Sequence, residues 1–77
     1  MTPREHASWA LEALVTDDPL WMRVNEALKC LKPLRSMKGF DTTIIEMINN
    51  VCDQNYSPKE RGKAVAEVIR TIFYLCE

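Results

Sequence analysis

The chain has little of what surface chemistry usually requires. It contains one histidine, His6, and two glycines, Gly39 and Gly62. Without a Gly-rich loop there is no backbone cradle for a phosphate. The three cysteines, Cys30, Cys52 and Cys76, are odd in number and widely spaced, with no Cys-x-x-Cys pair. That pattern argues against both a zinc site and a disulfide framework. No run approaches eighteen consecutive apolar residues, and no segment has the layout of a signal peptide. Neither a membrane span nor export is therefore expected, and reduced thiols fit a cytoplasmic chain. A net charge of −1 gives no basic field for nucleic acid and no acidic excess for a basic partner. There is no internal repeat and no low-complexity segment.

These absences exclude most enzyme classes. A hydrolase or transferase needs a nucleophile held by a base, a metal, or a phosphate loop. Asp17 and Asp18 are the one carboxylate pair that could suggest metal or acid–base work. Capping of the helix that follows accounts for both, so no catalytic residue, cofactor or metal ligand is assigned. Carrier chemistry is excluded on similar grounds, although an acyl carrier protein has a comparable size. Where such a carrier has Asp-Ser-Leu for its prosthetic arm, this chain reads Asp18-Pro19-Leu20.

What is present is an ordinary globular composition, 47% hydrophobic and 27% charged. Its 77 residues predict a single helical domain over 1–77. The organising stretch is the last one, Ser57–Glu77. Ser57-Pro58-Lys59-Glu60 reads as a capping box with proline at the first helical position. At 100° per residue, Val65, Val68, Ile69, Ile72, Phe73, Leu75 and Cys76 share one wide face with Gly62 and Ala66. A face this wide suits a central helix with neighbours on two sides. Gly62, on that face, marks a close approach of another helix or a tolerated first-turn glycine. Arg61 borders the face and can extend its charge outward.

Three shorter helices precede it. Thr2-Pro3-Arg4-Glu5 repeats the capping box, and a helix is predicted from Pro3 to about Val15, with Ala7, Ala10, Leu11, Leu14 and Val15 as its stripe. His6 and Trp9 sit at the border. Asp18 can cap a second helix from Pro19 to about Lys32. Its stripe is Leu20, Trp21, Val24, Ala27, Leu28 and Leu31, with Met22 and Cys30 off it. Pro33 ends or kinks this helix. Residues 33–40 read as a connector with one helical turn, stopped at Gly39. A third helix is predicted over about Thr42–Gln54, with Thr43 and Glu46 as a possible capping box. Ile44, Ile45, Met47, Ile48, Val51 and Cys52 form its face. The fold class is thus all-α, a small four-helix bundle with short connections.

Charge is unevenly distributed. Residues 1–20 carry −3, residues 21–40 carry +4, residues 41–56 carry −3 and residues 57–77 carry +1. Complementation between neighbouring helices is the first explanation, and a basic docking patch over 23–38 the second. The apolar faces exceed what four short helices can cover internally, and surplus apolar surface marks an interface.

The functional reading is a small non-enzymatic protein-interaction module. It would be an adaptor, inhibitor or regulator of the kind common among bacterial and phage accessory proteins. Its partner is a protein or a second copy, with a homodimer favoured. Trp21, Met22, Arg23, Lys29, Arg35, Lys38 and Phe73 are the candidate partner-binding residues. The alternative is a helix-turn-helix DNA-binding regulator, with Lys59, Arg61 and Lys63 opening its recognition helix. Against it, the turn lacks glycine and the same helix carries Glu60 and Glu67.

Overall fold

Four helices form the bundle, and most of their starts are written in side chains. The computed structural model describes residues 2–76. Helix α1 spans Pro3–Leu14, α2 Leu20–Leu31, α3 Thr42–Asp53 and α4 Pro58–Leu75. A 3-10 segment, Lys32–Ser36, continues directly from α2. The protein is an all-α bundle with short connections, and no strand occurs among the described residues. The predicted extension of the last helix to Glu77 falls on a residue outside those described.

Thr2 caps α1 with both halves of the box: its hydroxyl accepts from the Glu5 N–H at 3.2 Å, and the Glu5 carboxylate accepts from the Thr2 N–H at 3.1 Å. Ser57 caps α4 by accepting from the Glu60 N–H. There the Glu60 carboxylate accepts a hydrogen bond from the Ser57 hydroxyl at 2.9 Å, not from the Ser57 backbone N–H that a full box would use.

Two predicted caps are corrected. Asp18 does not cap α2; the N-cap is Pro19, which makes no side-chain cap bond. The Asp18 carboxylate instead accepts from the Thr16 hydroxyl at 3.3 Å. At α3 the cap is Asp41, whose carboxylate accepts from the Thr43 N–H at 2.8 Å, so Thr43 and Glu46 form no box. Asp41 is one of the stronger N-cap residues and lies two positions nearer the turn than Thr43. That turn depends on Gly39, whose φ of +78° is the left-handed conformation only glycine adopts freely.

Helix α4 is central, packing on α1, α2 and α3, while α1 packs most extensively on α2. The core joins Val65, Val68, Ile69 and Ile72 of α4 to Val24, Ala27, Leu28 and Leu31 of α2 and to Ile44, Ile48 and Val51 of α3. Leu34 of the 3-10 segment fills the same core. Helix α1 contributes Ala7 and Ala10. These are small residues, which suit close packing of neighbouring helix backbones.

Not every predicted stripe is buried. Leu11 is 47% exposed and Val15 73%, so the apolar face of α1 is narrower than its sequence suggests. Val15 is the C-cap of α1, beyond the helix's last residue Leu14. At the start of α2, Leu20 is 40% and Trp21 55% exposed. Near the end of α4, Leu75 is exposed as well.

Gly62 does mark a close helix approach: a Cβ built there would lie 3.3 Å from Val24 Cγ2. Gly62→Leu is expected to lower stability by about 1–3 kcal/mol, because a larger side chain forces α2 and α4 apart. Gly62→Ala should change it far less, since about 1 kcal/mol of helix propensity offsets a few tenths of an ångström of adjustment. Urea unfolding of both variants checks this.

Candidate functional site

The best-formed concavity lies where α2 meets the first turn of α4. One side is lined by Trp21, Met22, Asn25, Glu26, Leu28, Lys29, Lys32 and Arg61. The other is lined by Trp21, Val24, Asn25, Tyr56, Pro58 and Arg61. Trp21, Asn25 and Arg61 belong to both, so the two halves form one groove. Helix periodicity explains the composition. Val24, Ala27, Leu28 and Leu31 turn inward, and the residues between them must face out. Those outward positions hold Met22, followed by polar and charged residues. Three consecutive large apolar side chains, Leu20, Trp21 and Met22, are solvent-accessible, although periodicity alone places Leu20 and Trp21 on the inward stripe.

Arg61 forms the wall of the groove. The sequence suggests an outward-reaching side chain, but its Nη2 donates to the Gln54 carbonyl at 3.1 Å. That contact folds the guanidinium back over the end of α3. Its Nε is buried without a hydrogen-bond partner among the described residues. A second cation, Lys29, pairs loosely with Glu26 at 3.8 Å, both side chains being well exposed. Pairs of that kind contribute little and dissociate readily. Lys32 is exposed. The groove thus offers apolar contact and polar hydrogen bonding, with no nucleophile–base pair among the described residues lining it.

The other sequence-derived candidates scatter. Arg23 is half-buried and donates through Nη1 to the Leu14 carbonyl at 3.1 Å and through Nε to the Asp18 carbonyl at 2.9 Å. Arg35 donates to the Asn49 side-chain oxygen at 3.3 Å. Lys38 is exposed but outside the groove lining. Phe73 is half-buried against the core, with the Arg4 guanidinium 5.0 Å above its ring. Phe73 lies twelve residues beyond Arg61 on α4, about 18 Å along the axis, so it cannot share the Trp21 groove. Within the basic stretch 23–38, Arg23 and Arg35 are thus engaged with neighbouring groups, while Lys29, Lys32 and Lys38 are exposed. Among the described residues, both ion pairs lie within a single helix, Glu26–Lys29 and Glu67–Arg70. The expected charge complementation between helices does not take the form of salt bridges there.

For the alternative reading, Lys59 and Lys63 are exposed at the start of α4, whereas Arg61 is turned back. Sequence reasoning misses Asn25, Lys32, Tyr56 and Pro58 as lining of one groove, and the exposure of Leu20 beside it. Helical periodicity assigns Leu20 to the buried stripe, and Tyr56 and Pro58 enter only through the turn before α4. His6, at the border of α1 by sequence, is buried, with Nδ1 3.0 Å from the Cys30 carbonyl and its ring edge-on to Trp9.

No family model, curated protein or solved structure matches the chain. No helix of the described residues is long and apolar enough to cross a membrane. Among the described residues, no group of three or more His, Cys, Asp or Glu side chains could hold a metal ion.

Burial, and secondarily the Glu26 carboxylate, push the Cys30 thiol above its ordinary range. A raised thiol pKa lowers the thiolate fraction and hence reactivity. Near neutral pH, Cys30 should react with iodoacetamide severalfold more slowly than glutathione. The difference should narrow as pH rises, and peptide mass spectrometry over a pH series measures it.

Proposed function

We propose that this chain is a small non-enzymatic protein-interaction module that associates with itself. It would act as an adaptor, inhibitor or regulator in the cytoplasm, in the manner of bacterial and phage accessory proteins. The observation that carries this reading is the exposure of Leu20, Trp21 and Met22 on one helix, with Trp21 55% accessible. A bundle of this size has a closed core without them. Large apolar side chains grouped beside a groove favour an interface. The free cysteines, none in a disulfide among the described residues, favour a reducing compartment.

The duplex-binding alternative has weaker support. Of its three basic residues, Arg61 is engaged with the end of α3, and only Lys59 and Lys63 project freely into solvent. Two cations give a small counterion-release term.

Sedimentation equilibrium over a wide concentration range should show a reversible dimer. Trp21→Glu should yield a folded monomer with an unchanged helical circular dichroism spectrum. Phe73→Glu should instead lower stability by about 1–3 kcal/mol, since its ring packs on the core. A wild-type protein that stays monomeric throughout, or a Trp21→Glu variant that still dimerises, overturns the self-association reading.

A further inference from the structure

The exposed face of α2 carries an order that a generic sticky surface would not need. Met22, Asn25, Lys29 and Lys32 recur at intervals of three and four, the spacing of a straight stripe along a helix. Asp18 stands just before the first turn and Lys32 just after the last. The segment is acidic at its start, where Asp17 adds a second carboxylate, and basic at its end. Trp21 and Met22 lie in its first half and Asn25 at its midpoint. All of these residues are exposed.

An isologous interface requires a surface complementary to itself under a two-fold rotation. Two copies of α2 laid antiparallel about a dyad at Asn25 satisfy that requirement in their order of charge. Within the helix, positions whose numbers add to fifty then face one another. Asp18, two residues ahead of the helix, comes beside Lys32 of the other copy, once on each side of the axis. Trp21 meets the aliphatic stem and ammonium of Lys29, a cation–π arrangement. Met22 lies over the edge of the core-facing Leu28, which lines the groove. Asn25 meets itself, and a side-chain amide both donates and accepts. A parallel arrangement would bring like charges together.

We infer that the partner of the α2 face is a second copy of this chain, docked antiparallel about a two-fold axis through Asn25, with Asp18 of each protomer against Lys32 of the other. This rests on the self-association reading and gives it a geometry. The charge order selects the occupant. A uniformly acidic segment would be repelled by Asp17, Asp18 and Glu26, and a uniformly basic one by Lys29, Lys32 and Arg61. A dipolar stripe fits another dipolar stripe, and the chain itself supplies one. One twelve-residue helix, about 18 Å long, offers less area than a standard interface. The dimer is therefore weak, with a dissociation constant in the micromolar range or above.

The test is charge reversal with rescue. Asp18→Lys and Lys32→Glu, each made in the full chain, should each weaken the dimer at least about tenfold in sedimentation equilibrium at low salt. The double variant D18K/K32E restores opposite charges across the dyad and should recover most of the lost affinity. Circular dichroism of all three establishes that they are folded. Wild-type dimerisation untouched by either reversal would overturn this geometry while leaving self-association in place. The same holds if the single variants dissociate but the double variant does not recover. A wild-type monomer at every concentration would overturn both.

Discussion

The structure depends on how helix C-termini are closed. Each α-helix ends with carbonyls that have no intrahelical partner. Glycine in the left-handed conformation is the common remedy, and here the one positive-φ residue among those described, Gly39, follows the 3-10 segment. Helices α1, α3 and α4 also lack a basic residue in the last turn. The donors come from elsewhere in the fold. Arg23, in the first turn of α2, donates to the Leu14 carbonyl that ends α1. Arg61, in the first turn of α4, donates to the Gln54 carbonyl that ends α3. Arg4, in the first turn of α1, donates to the Phe73 and Cys76 carbonyls at the end of α4. His6 lies within hydrogen-bond distance of the Cys30 carbonyl near the end of α2. A cation at a helix C-terminus is worth roughly 0.3–1 kcal/mol through the dipole. More important for architecture, each contact ties the end of one helix to a side chain of another.

This device determines what is left for the surface. The three capping arginines count in the charge total but are not free cations. Arg23 is attractive as a docking residue by sequence because it begins the basic stretch, and Arg61 because it begins the last helix. Both are held by backbone carbonyls from a neighbouring element. The remaining cations near the groove are the lysines, whose flexible stems suit a reversible contact. The groove therefore combines a fixed wall at Arg61 with adjustable charges at Lys29 and Lys32.

Local grammar in the sequence is a good guide wherever the physics is local. Thr2-x-x-Glu5 and Ser57-x-x-Glu60 announce their helices, and the 3.6-residue period of α3 and α4 identifies Ile44, Ile48, Val51, Val65, Val68, Ile69 and Ile72 as core. Gly62 is legible as a close approach, although its partner Val24 lies on another helix. The misreadings fall where tertiary context decides. Asp18 and Asp41 are equally plausible caps by residue type. Only Asp41 has its carboxylate on the N–H two residues on, because Pro19 itself occupies the cap position of α2. Leu11, Val15, Leu20 and Trp21 satisfy helical periodicity, yet periodicity cannot say how far a neighbouring helix extends. The arginine caps are not legible at all, since nothing in the sequence links Arg4 to residues about seventy positions away.

The same limit separates core from interface along α2. Val24, Ala27, Leu28 and Leu31 cover an arc that α1 and α4 fill, and nothing in the bundle remains to cover Trp21 and Met22. An indole at the start of a twelve-residue helix could be tolerated singly, as scattered surface apolar residues are. Here it is flanked by Leu20 and Met22 and lines a groove together with Arg61, Tyr56 and Pro58. The exposed Leu20, Trp21 and Met22 side chains are not among the residues that close the core. The self-association proposed above would cover them, and the acid-to-base order along α2 is the feature that proposal uses to choose an antiparallel second copy.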